Sequence, residues 1–229
     1  MEEKAWVRFE TSKYVLVHFT RNNRQATEAS ITIDNITINP STEAKYLDVT
    51  FDKQLRFKSH LQQIIKKGTN AALALTSIAK TTWGVPYQYV RQLFQAVLAP
   101  RIDYAAIIWH RPKQDGSTAG TAQVRKLSTV QRLAMRAILG CYTTTSTAAM
   151  EIETGLQPTW IHLQTKALLA TTRMQCLPPR HPVKDWLANG LRTRTSCISH
   201  RSNLENILQQ FPITTKCLEI IEPYIRPPW

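Results

Sequence analysis

Lysine and arginine recur at helical spacing in two stretches, Lys58, Lys66 and Lys67 in the first and Arg125, Lys126, Arg132 and Arg136 in the second. Such side chains neutralise phosphates without reading bases. Two helices that carry them can track a nucleic-acid backbone if their charged faces converge on one groove. A solvated charged face is the alternative for each helix alone. His60, one turn into the first stretch, is a candidate phosphate contact or a packing histidine.

Other chemistries find little to build on. Two-metal phosphoryl transfer needs carboxylates that converge on Mg²⁺. The 16 acidic residues are scattered. Glu151 and Glu153, two apart on an expected helix, diverge and read as helix-end electrostatics. Asp48 and Asp52, if on one strand, share a face but stand about 13 Å apart along it. The seven glycines are single and form no phosphate loop. No serine or cysteine stands in a nucleophile-elbow context. Cys141, Cys176, Cys197 and Cys217 have no paired spacing and read as thiols of a reducing compartment, not a zinc site or disulfide frame. No metal or other cofactor is expected in this chain. Trp83, Trp109, Trp160 and Trp186 read as core or interface fillers rather than base-stacking platforms.

The elements that must hold the basic residues can be read from periodicity. The chain has 229 residues, a formal net charge of +13, 43 % hydrophobic and 20 % charged residues. That is too apolar for a disordered basic tail, so the charge sits on a folded body and points to a polyanionic partner. The apolar runs fall well short of the roughly 18 residues of a membrane span, and Met1-Glu2-Glu3-Lys4 does not read as a secretory signal.

Residues 1–52 read as strands: Tyr14 to Phe19, a hairpin with Ile31, Ile33, Ile36 and Ile38 around Asp34-Asn35, and Lys45 to Phe51. Together they predict a small antiparallel sheet with exposed edges. After Asp52 the period becomes helical, with Phe57, Leu61, Ile64, Gly68, Ala71, Ala72 and Leu75 on one stripe of a helix of about 25 residues. Pro86 opens a second helix, which Pro100 interrupts and which continues, offset, from Ile102 to Trp109. Gln114 to Gly120 reads as a mobile loop. A third long helix buries Val124, Leu127, Val130, Leu133, Ala134 and Ala137 and stops at Gly140. The hydroxyl run Thr143 to Thr147 caps a short helix that Gly155 ends. A further helix after Pro158 turns Trp160, Leu163, Ala167, Leu168 and Thr171 inward. Beyond residue 180, prolines break the chain into what reads as a loosely packed tail.

These segments, in order, resemble a known family. Lys13-Tyr14-Val15-Leu16-Val17-His18-Phe19-Thr20-Arg21, then Lys45-Tyr46-Leu47-Asp48-Val49-Thr50-Phe51-Asp52 with Leu55, Phe57 and His60, look like the stretch just downstream of the catalytic motif in reverse transcriptases of non-LTR (LINE-type) retrotransposons. The likeness continues through Leu98-Ala99-Pro100-Arg101-Ile102-Asp103-Tyr104-Ala105-Ala106 with Trp109-His110, through Gln131-Arg132 to Gly140, and through Thr143 to Ala149. Pro223 to Trp229 looks like a linker toward a ribonuclease H domain. The resemblance implies an α+β chain: a small antiparallel palm-remnant sheet (1–52), a mainly helical thumb and connection bundle (53–180) and a Pro-broken tail (181–229).

It further implies a template–primer-binding part of an RNA-directed DNA polymerase without the catalytic aspartates, which the family carries upstream. Mg²⁺ is then expected only in the complete polymerase. The family's K-Y-L-G step lies near the primer, so Lys45 joins the candidate contacts. Asp48 stands where that step has glycine, and a carboxylate there would repel phosphate. Expected partners are an RNA–DNA or DNA duplex and the missing fingers and palm. No membrane partner is expected, and nuclear residence follows from the resemblance alone. A structural subunit docking on a fingers-containing polymerase, and a non-functional transposon remnant, are the alternatives.

Overall fold

The computed structural model describes residues 10, 13–20, 29–33, 35–80, 84–110, 121–184, 203–211 and 218–220. The expected loop Gln114 to Gly120, Trp83, Trp186 and the segment Pro223 to Trp229 lie outside them. The fold is α+β. It divides into two units, residues 1–63 and 64–229, with the division inside the first long helix.

Among the described residues the first unit holds two separate antiparallel hairpins instead of one sheet. β1 (Ile31–Ile33) pairs with β2 (Ile36–Ile38), and β3 (Glu43–Tyr46) with β4 (Val49–Asp52). The β1–β2 hairpin matches the sequence expectation, with Asn35 in the left-handed region at φ 63°. Two expectations fail here. Tyr14 to Phe19 forms no strand. It makes a single parallel bridge, Leu16 to Pro40, and Pro40 has no N–H with which to extend the ladder. Lys45 to Phe51 is not one strand but the two arms of a hairpin.

The out-of-phase pair Tyr46-Leu47 marks the turn. Tyr46 pairs with Val49, and the two loop residues, Leu47 and Asp48, have φ of 46° and 61°. Positive φ at both loop positions is what a two-residue type I′ turn requires, and glycine or asparagine meets it at least cost. The family's glycine at position 48 thus has a backbone reason. Here Asp48 tolerates the conformation, and its Oδ1 lies 2.6 Å from Lys45 Nζ. Leu47 is 71 % exposed and loses no packing if replaced. Leu47→Asn is therefore expected to raise stability by about 0.5–1 kcal/mol in urea unfolding. An unchanged or lower midpoint would refute the strain argument.

Asp52 closes this unit onto the helix that follows. Its Oδ1 accepts from the Phe57 N–H at 2.6 Å and its Oδ2 from the Arg56 N–H at 3.1 Å. Leu55 and Phe57 also take positive φ, and the Phe57 ring packs edge-on against Phe51 with centroids 5.7 Å apart.

α1 (Lys58–Ile78) follows the apolar stripe read from the sequence. In the second unit Gly68 faces Val130 and Ile102. A Cβ there would lie 3.6 Å from Ile102 Cγ1, an ordinary contact, but 3.1 Å from Val130 Cγ1, which would have to give by a few tenths of an ångström.

α2 (Tyr87–Leu93) starts after Pro86. Pro100 does not interrupt the helix, contrary to expectation. A π-helical turn, Phe94–Leu98, precedes α3 (Ala99–Asp103), and Pro100 falls in the first positions of α3. The wider turn relieves the clash that a proline ring makes with the carbonyl four residues back. The break comes later, where Ala105 adopts φ 52° before α4 (Ala106–Trp109).

α5 (Thr121–Leu139) is the hub, packed against α2, α6 (Thr147–Thr154) and α7 (Thr159–Gln175). Leu127, Val130, Ala134 and Ala137 are buried as expected, and Gln131, Met135 and Ile138 join them. Gly140 ends α5 at φ 63°, and Gly155 ends α6 at φ 62°. On α7, Leu163, Ala167 and Thr171 are fully buried, but Trp160 is 52 % exposed, against expectation. Thr159 takes the inward position instead, because its hydroxyl donates to the buried Gln131 Oε1 at 2.5 Å. Within the expected tail, α8 (Asn203–Gln210) packs on α7 and buries Ile207.

Candidate nucleic-acid interface

The α5 face opposite its buried side carries the basic residues. At about 100° per residue, Arg125, Arg132 and Arg136 fall within about 40° of one another, roughly opposite Leu127, Ala134 and Ile138. Arg125 and Lys126 are exposed, Arg132 and Arg136 half-buried. Among the described residues, Arg125, Lys126 and Arg132 form no salt bridge. Arg136 Nη2 donates to the Thr143 carbonyl at 2.5 Å, so part of this side chain is spent holding the chain after α5. Lys126 lies about 100° from the stripe.

Lys58, Lys66 and Lys67 are exposed but spread over about half the circumference of α1. Lys66 stands about 160° round α1 from Gly68, where α1 meets Val130 of α5. Arg125, Arg132 and Arg136 lie about 120–160° round α5 from Val130. Lys66 and the three arginines therefore point away from the α1–α5 contact, Lys67 stands about 100° round α1 from it, and the three arginines are what the pitch of α5 brings into line.

His60 is 2 % exposed, and its Nδ1 accepts from the Thr50 N–H at 3.4 Å. The structure puts it in the interior, where it anchors β4. Lys45 is exposed and paired with Asp48.

A cleft of about 430 Å³ opens between the π-turn, α3, α5 and the start of α7. Asp103 on its wall is held by His162 Nε2 at 3.0 Å and Lys166 Nζ at 3.3 Å. Burial alone would raise the Asp103 pKa. The His162 hydrogen bond, the charge and hydrogen bond of Lys166, and the His162 charge outweigh it and hold the carboxyl below its ordinary range. Gln131 Nε2 donates to the Gln157 carbonyl at 2.8 Å across the same wall. These polar groups tie α3 and α5 to α7. Sequence reasoning passed over this cluster because Asp103 and His162 stand 59 positions apart. Among the described residues no group of His, Cys, Asp and Glu is placed to hold a metal ion, and no helix is long and apolar enough to cross a membrane.

Comparison with known proteins adds what geometry lacks. The chain is 24 % identical over 166 residues to the putative 115 kDa protein in type-1 retrotransposable element R1DM of Drosophila melanogaster, covering 72 % of this chain and 16 % of that protein. It is 27 % identical over 120 residues to the retrovirus-related Pol polyprotein from type-1 retrotransposable element R1 4 of Nasonia vitripennis, covering 52 % of this chain and 29 % of that one. A second Nasonia Pol polyprotein, from element R1 3, is 24 % identical over half of this chain and 30 % of its own length. The chain is related to non-LTR retrotransposon proteins.

As a non-LTR retrotransposon relative, the chain spans between about a sixth and a third of the proteins it matches. No family model and no solved structure matches it. The ordered resemblance from Lys13 to Ala149 agrees with that relationship, which extends to polymerase-region polyproteins of R1 elements.

Proposed function

We propose that this chain is the thumb-like, template–primer-binding part of a retrotransposon RNA-directed DNA polymerase, a part that does not itself hold the catalytic aspartates. The observation that carries the reading is the aligned Arg125, Arg132 and Arg136 on the α5 face away from the core, on a chain of net charge +13. Guanidinium groups along one helix face contact phosphates of one strand and leave base identity unread, as template copying demands. The fingers and palm of the polymerase, with their Mg²⁺, then lie outside this part. The open edges of the two hairpins are suited to dock on them. Nuclear residence goes with the same reading.

Salt-titrated binding to an RNA–DNA hybrid tests it. The chain is expected to bind at low salt with a steep negative slope of log affinity against log salt. The double variant R125A/R132A is expected to flatten that slope by roughly 1.4–1.8, at about 0.7–0.9 per lost phosphate contact. Arg136 is left intact because it holds Thr143. No binding at low salt, or an unchanged slope, would remove the proposal. Nucleotide incorporation by the purified chain in a primer-extension assay would contradict its second half.

A further inference from the structure

The arginine stripe does not end at solvent. α5 stops at Gly140, and Tyr142, 85 % exposed, is the barest large hydrophobic side chain among the described residues. Its position is defined on both sides. The Tyr142 carbonyl accepts from the Thr145 N–H at 3.2 Å, closing a turn, and Arg136 Nη2 grips the next carbonyl, that of Thr143. Tyr142 therefore follows the C-terminal end of the stripe directly in the chain, next to the residue whose carbonyl the stripe's last arginine holds.

We infer that Tyr142 is a stacking platform for an unpaired base of the strand whose phosphates follow Arg125, Arg132 and Arg136. This rests on the nucleic-acid-binding reading above and names the form of the ligand: single-stranded nucleic acid at a duplex junction. The stripe is about 16 Å long, roughly five base steps at about 3.4 Å each. An exposed aromatic ring one residue from the carbonyl that Arg136 holds suits a base whose own face is uncovered, which within a duplex it is not. The exposed Thr143 and Thr144 follow Tyr142 in the chain and carry hydroxyl groups able to donate to phosphate oxygens. Charge complementarity favours this occupant over an apolar protein surface, since among the described residues Arg125 and Arg132 have no carboxylate partner.

The test compares an RNA–DNA hybrid bearing a short single-stranded overhang, with 2-aminopurine in the overhang, against the same hybrid with abasic overhang positions. The wild-type chain is expected to prefer the base-bearing overhang and to quench 2-aminopurine. Tyr142→Ala is expected to lower affinity for that hybrid about 5- to 150-fold, to abolish the preference and to lose the quenching, whereas Tyr142→Phe keeps all three. Because the side chain is exposed, the thermal transition of Tyr142→Ala should match the wild type. If Tyr142→Ala binds both hybrids as the wild type does, the stacking inference fails while the proposed function stands. If neither hybrid binds at low salt, both fall. Loss of a concentration-dependent self-association on Tyr142→Ala, with no change in overhang preference, would reassign the ring to a contact between copies of this chain.

Discussion

Trp109→Ala is expected to destabilise the second unit by about 3–5 kcal/mol, the cost of emptying a large buried aromatic site. Trp109 is 2 % exposed and belongs to α4, which packs against α7 and α8. Its Nε1 donates to the Tyr104 carbonyl at 2.8 Å, at the point where α3 ends and Ala105 turns left-handed. The indole thus fills the space between helices and satisfies a carbonyl that the helix break releases. Trp109→Phe separates the two contributions: it retains most of the packing but loses the indole hydrogen bond, a cost of about 0.5–1.5 kcal/mol. Urea unfolding of both variants checks the order. A Trp109→Ala midpoint near the wild type would mean that the break at Ala105 needs no such brace.

Acidification is expected to cost on the order of 3 kcal/mol between about pH 6.5 and pH 4 through His110. The His110 side chain is buried beside Trp109, with ring centroids 6.0 Å apart, and burial depresses its pKa to about 4. A depressed folded-state pKa means that the unfolded chain takes up the proton first. The stabilisation is therefore complete above the unfolded value near 6.5 and is lost as pH falls toward the folded value. Asp103, held below its ordinary range, carries the decline onward at lower pH, where protonation releases His162 and Lys166. Unfolding free energy measured across this range should fall steeply for the wild type and be flatter for His110→Gln. Equal slopes would show that other groups carry the acid sensitivity.

Much of the scaffold was legible because its residues answer to local rules. The Gly68-centred stripe of α1 and the α5 stops at Gly140 depend on spacing and backbone freedom, which neighbours along the chain reveal. Tyr46-Leu47 was legible as a phase error but misassigned, since a turn of two left-handed residues without glycine lacks the usual signal. Pro100 misled because a π-turn can absorb a proline, and Trp160 misled because Thr159, bonded to Gln131, took the inward position.

The candidate interface divides along the same line. That Arg125, Arg132 and Arg136 share a face, opposite an apolar one, follows from the pitch of a helix, and the sequence by itself determined it, together with the net charge and the kinship with retrotransposon proteins. Only the tertiary structure decided that His60 is interior, that α1 meets α5 at Gly68, that Asp103 meets His162 and Lys166, and that Arg136 holds the Thr143 carbonyl next to Tyr142. Those facts depend on which residues distant in the chain share the same space, and burial and pairing between distant residues leave no trace in local spacing.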